Sequence, residues 1–161
     1  MALVRILVDG YSLLHHWSEL APDKPRHSEC ARDELVRILQ LYSDATGTPV
    51  TVFFDGSGKA VRGPKEQAAR GVEVLFSRAG QTADQMIERA AHRFSAYGEV
   101  LAVTNDRAER ETVINLGGIA AECGNFIAEL RDVLKDLAAE IRTHNRREQF
   151  GYRRRPSSNV K

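Results

Sequence analysis

The chain has 161 residues, 42% of them hydrophobic and 28% charged, which fits one soluble domain with a sizeable core. No apolar run approaches the ~20 residues that span a bilayer, so no membrane partner is expected. Cys30 and Cys123 lack metal-ligand spacing, and of the five histidines only His15 and His16 are adjacent; this argues against a structural zinc site and for two reduced thiols in a cytoplasmic protein. The opening MALVRILVDG is too short and too soon acidic for a signal peptide. The net charge of +1 is unevenly spread: residues 142–161 hold seven basic side chains against Glu148 alone, a net +6, which leaves −5 for the rest. A basic tail on an acidic body points to a polyanion partner; a merely solubilising terminus is the competing reading.

In chain order, Leu3–Val8 is a short β-rich run that ends at Asp9-Gly10, as a buried parallel strand would. Helical spacing follows from Ser28, a natural N-cap, to about Thr46, with Gly47 and Pro49 as stop signals. Val50–Phe54 reads as a second strand closed by Asp55-Gly56, and residues 56–71 as a basic, glycine-rich loop. Val72–Phe76 is a third strand. Thr82 and Gln85 have capping-box spacing at the head of a helix that runs to about Gly98. Glu99–Val103 makes a fourth strand, Arg107–Leu116 a short helix, Ile119–Ala121 a short fifth strand, and about Asn125 to Ile141 the last helix. This alternation predicts an α/β, Rossmann-like three-layer domain with a central parallel sheet of about five strands. The domain is expected over residues 1–145, followed by a basic, flexible tail over 146–161.

In such sheets the functional groups collect beyond the carboxyl ends of the strands. Asp9, Asp55 and Asp106 each follow a strand, and Asp84 opens the helix after the third, so all four belong on one edge. Glu88 lies one helical turn from Asp84 and is expected to face the same pocket. Clustered carboxylates repel unless a cation neutralises them, and an all-oxygen set suits Mg²⁺ or Mn²⁺. For Asp55 an Asp-Gly turn is the preferred reading. A dehalogenase-type phosphatase would need a second acid where Tyr11 stands, and GSGK at 56–59 lacks the spacing of a phosphate-binding loop.

The strings ILVDGYSLL (6–14), TADQMIERAA (82–91) and VTNDRAER (103–110), in that order, resemble the signature segments of the YacP-like NYN family, which is similar to PIN-domain nucleases. The resemblance extends over about residues 4–145. It implies an endoribonuclease that hydrolyses RNA phosphodiesters with Mg²⁺ or Mn²⁺, in messenger or ribosome-associated RNA processing or decay. Carried over, the acidic residues are Asp9, Asp84 and Asp106, with Glu88 as a further ligand or a group behind the ligands and Thr104 beside Asp106. The family usually has Asp-Gly-Tyr-Asn in the first motif, whereas here Ser12 takes the last position. Its shorter hydroxyl can still hydrogen-bond a phosphate or a neighbouring carboxylate. Expected RNA contacts are Ser12, Thr104, Arg107, the loop residues Lys59, Arg62 and Lys65, and the tail residues Arg153, Arg154 and Arg155. Tyr11 and Tyr152 are candidates for base stacking, and Trp17 for core packing. Two other readings stay open: a non-catalytic RNA- or ribosome-binding module that keeps the fold, and a DNA structure-specific nuclease.

Overall fold

The computed structural model describes residues 3–56 and 71–153, with side chains to residue 150. In chain order the elements are β1 (Leu3–Asp9), α1 (Gly10–His15), α2 (Glu29–Thr46), β2 (Val50–Phe54), β3 (Val72–Phe76), α3 (Ala83–Phe94), β4 (Glu99–Val103), α4 (Arg107–Asn115), β5 (Ile119–Ala121) and α5 (Cys123–Arg153). All strands are parallel, in the order β3-β2-β1-β4-β5. The chain therefore builds outward from β1 to β3, then crosses by α3 to the other side of β1. The expected fold is the observed one.

Side-chain alternation divides the core in two. Ile6 and Val8 of β1, with Val50, Val52 and Phe54 of β2, pack beneath α1, α2 and α5. Leu7 and Phe53 face the opposite way, against Ala83, Ile87 and Ala91 of α3 and Val113 of α4. Helix ends follow the sequence signals: Ser28 caps α2, Gly47 closes it in the left-handed conformation (φ 72°), and Thr82 and Gln85 form a complete capping box on α3. Between α1 and α2, the Arg26 guanidinium donates to the carbonyls of Leu14, Trp17, Leu20, Ala21 and Lys24, which fixes the intervening segment.

Two elements depart from expectation. The turn after β1 is a helix, because Asp9 caps it and Leu13 and Leu14 have apolar space to fill. The last helix runs past Ile141 to Arg153: the apolar spacing ends there, but no glycine or proline interrupts the helix-forming stretch before Gly151. Residues 146–153, expected as part of a flexible tail, are thus helical. Lys59, Arg62, Lys65, Arg154 and Arg155 lie outside the described residues, and Tyr152 and Arg153 are described in backbone only. Among the described residues no helix is long and apolar enough to cross a membrane.

Gly10 shows how tightly this edge is built. A Cβ there would stand 2.2 Å from the ring of Phe54, which is fully buried and cannot swing aside. Gly10→Ala is expected to cost about 1–3 kcal/mol through overpacking, measurable as a lower denaturation midpoint with an unchanged m-value.

Candidate metal centre

The strand order reverses direction between β1 and β4, and the acidic residues converge there. Asp9 is the last residue of β1, on the face that Leu7 shares with α3 and α4. Its Oδ1 accepts from the Ser12 backbone N–H at 3.3 Å, so the capping bond of α1 also holds the carboxylate. Asp84 sits in the first turn of α3, exposed to solvent. That turn is held in place by Asp55, whose Oδ1 accepts from the Ala83 N–H at 2.7 Å. Asp55 thus does more than close an Asp-Gly turn: it ties the end of β2 to the helix that carries Asp84.

The third carboxylate to join them is Glu109 of α4. One oxygen from each of Asp9, Asp84 and Glu109 lies within 4.8 Å of the other two. Glu109 is buried, at 6% exposure. Its Oε2 accepts from the Thr104 hydroxyl at 2.9 Å, whereas Oε1 is buried with no hydrogen-bond partner. Thr104 is fully buried, and its Oγ1 also accepts from the Asp106 N–H at 3.1 Å.

Asp106, expected as the third ligand, stands beside this trio and caps α4. Its Oδ1 accepts from the N–H groups of Ala108 and Glu109, at 2.9 and 3.4 Å. It remains close enough for its charge to act on Asp9. Asp106→Ala should cost about 1 kcal/mol through loss of the cap, and Asp106→Asn far less, since asparagine caps as well as aspartate; thermal unfolding of the pair checks this.

Glu88 is not in the group. It lies with Gln85, Arg89 and His92 along a separate shallow depression. The inward line of α3 is Ala83, Ile87 and Ala91, and one turn down the helix is ~5.4 Å away from the sheet edge. Ser12 turns inward, its Oγ accepting from the Asn105 N–H at 3.2 Å and lying 3.5 Å from the Cys123 sulfur. Asn105 in turn accepts from the Cys123 N–H at 2.7 Å. Ser12 therefore ties α1 to the β4–α4 turn and to the start of α5. Arg107 is exposed and paired with Glu111 at 3.1 Å. Tyr11 packs against Phe54 and His27, with ring centroids at 5.0 and 4.3 Å, and Trp17 is in the core. His15 and His27 approach through their Nε2 atoms at 3.2 Å.

The electrostatics follow from this crowding. Burial pushes the Asp9 carboxyl up from 3.8 to about 6; the Ser12 N–H opposes the rise, and the charges of Asp84, Asp55 and Asp106 add to it. Glu109 is raised too, first by burial and then by Asp84, against the lowering bond from Thr104. Two carboxyls held above their ordinary range by burial and by the charge of neighbouring carboxylates make a poor anion cluster and a good cation site. The donors are all carboxylate oxygens, the set that suits Mg²⁺ or Mn²⁺.

A parallel α/β domain with a graded carboxylate trio at its switch point defines the class. The YacP-like NYN domain family model matches residues 6–160, and the chain belongs to that family. It is 29% identical over 139 residues to the YacP protein of Bacillus subtilis (strain 168), covering 85% of this chain and 81% of the other. The crystal structure of Rae1 (YacP) from Bacillus subtilis superposes with a TM-score of 0.78 at 27% identity, covering 94% of this chain and 86% of that one. Its W164L mutant superposes with a TM-score of 0.72 at 25% identity, covering 88% and 82%.

Proposed function

We propose that this protein is a metal-dependent endoribonuclease whose Mg²⁺ or Mn²⁺ is held by Asp9, Asp84 and Glu109. The observation that carries the reading is the approach of one carboxylate oxygen each from Asp9, Asp84 and buried Glu109 to within 4.8 Å of one another. Membership of a family similar to PIN-domain nucleases supports the reaction class.

The ion, when bound, supplies Lewis-acid stabilisation of phosphate charge and a nucleophile active at neutral pH. The chain's own residues supply placement. Asp9 is aimed by the Ser12 N–H, Asp84 by the Asp55 bracket, and Glu109 by Thr104. Burial grades outward from Glu109 through half-buried Asp9 to exposed Asp84, so the trio opens to solvent, where a phosphodiester can reach it. Lys59, Arg62 and Lys65 follow Gly56 in sequence, and Gly56 stands just past the carboxyl end of β2. We assign these three residues to the RNA backbone, together with Arg107 and the tail residues Arg153, Arg154 and Arg155.

The test is cleavage of a mixed RNA pool with Mn²⁺ or Mg²⁺, comparing wild type with Asp9→Asn. Metal-dependent cutting that the variant loses supports the reading. RNA binding without metal and without cutting would favour a binding module instead.

A further inference from the structure

The second half of α5 leaves the domain. Phe126, Ile127 and Leu130 are buried and Val133, Leu134 and Leu137 half-buried, but every residue from Ala138 to Phe150 is exposed. Most of the basic side chains on this projecting helix share one line, while Arg147 falls on the opposite side, seven residues from Glu140. Arg131, Lys135, Arg142 and Arg146 fall on one line, spaced 4, 11 and 15 residues from the first, and Ala138 and Gln149 occupy the same line. Asp132, Asp136 and Glu140 follow a separate flank at i, i+4 and i+8. Arg131 is engaged with Glu19 of the α1–α2 segment. Among the described residues, none forms an ion pair with Lys135, Arg142 or Arg146.

We propose that this face of α5 is a second RNA-backbone surface, separate from the carboxylate trio, that grips RNA at a distance from the point of cleavage. The N-terminus of α5 adjoins the trio through Asn105 and Ser12. At 1.5 Å per residue, Lys135 stands ~18 Å and Arg146 ~35 Å along the axis from Cys123. A straight cationic line beside an acidic body suits an extended phosphate chain. Self-association has no comparable footing: the apolar line Leu130, Leu134, Leu137 and Ile141 gives way to His144 and Glu148, and exposed Phe150 lies on another face. The inference takes RNA as the ligand from the function proposed above, but does not require the carboxylates to be catalytic.

The test is fluorescence anisotropy with a long, unstructured RNA in EDTA across a salt series, using the full chain. Replacing Lys135, Arg142 and Arg146 together with alanine, which favours helix, should weaken binding at least about tenfold and lower the log–log salt slope by about 2. Arg147→Ala is the control, because it removes a charge about 140° round the helix from that of Arg142; Arg142→Ala should cost clearly more. Wild-type affinity and slope in the triple variant would overturn the proposal, as would equal losses from Arg142→Ala and Arg147→Ala. So would binding of phosphatidylserine vesicles with the same residue dependence and greater strength than RNA. If wild type fails to cleave RNA yet shows arm-dependent binding in EDTA, the nuclease reading fails and this one stands.

Discussion

Asp9→Asn should make the metal-free protein more stable at neutral pH while removing its activity. The Asp9 carboxyl titrates near 6 in the folded chain against 3.8 when unperturbed, so the folded state holds the proton more tightly. Its contribution to stability is therefore fully present below pH 3.8 and lost as pH rises to about 6. The difference amounts to ~3 kcal/mol at pH 7. Asparagine carries no charge, and its carbonyl oxygen can still accept from the Ser12 N–H, so the cap of α1 survives. For a chain of this size the gain corresponds to roughly 6–12 °C in Tm. Added Mn²⁺ should stabilise wild type, since a ligand that binds only the folded state adds to its stability, and should do little for the variant. Thermal scans at pH 4 and pH 7, with EDTA or Mn²⁺, measure all of this. A variant less stable than wild type in EDTA at pH 7 would contradict the electrostatic account.

Glu109→Gln should have the largest effect on metal binding for the smallest change in shape. Glutamine can still accept from Thr104 through its carbonyl oxygen, but it places an NH₂ where the buried Oε1 now lies. The change removes a ligand charge and sets a donor towards the ion. Mn²⁺ affinity should fall by at least about tenfold, and RNA cleavage by about a hundredfold or more. Asp106→Asn retains the cap of α4 and should lose less activity than Glu109→Gln. The order of these two variants in a cleavage assay distinguishes the trio seen in the fold from a trio completed by Asp106.

Much of this was legible in the residues. Apolar runs ending in Asp9 and in Thr104-Asn105-Asp106, and the capping box before Asp84, placed the sheet edge and two of the three carboxylates. Glu109 does not stand out in its own string, because RAER reads as a charged helix surface. The signal was its register: Glu109 lies four residues before buried Val113, on the inward line of α4. A buried acid on an inward line needs a partner, and that was the clue. Glu88 is the opposite case. Its spacing from Asp84 puts both on one side of α3, but spacing says nothing of how soon the helix leaves the edge. The roles of Ser12 and Asp55 depend on contacts 93 and 28 residues away in sequence, with Asn105 and Ala83, which no local pattern encodes.

The most direct measurement is calorimetric titration of Mn²⁺ into wild type and Glu109→Gln at pH 7.5. The account predicts saturable binding to wild type, with protons released as the raised carboxyls ionise, and binding at least about tenfold weaker in the variant. Equal affinity in the two proteins, or no binding to wild type, would contradict the assignment of Asp9, Asp84 and Glu109 as a metal centre.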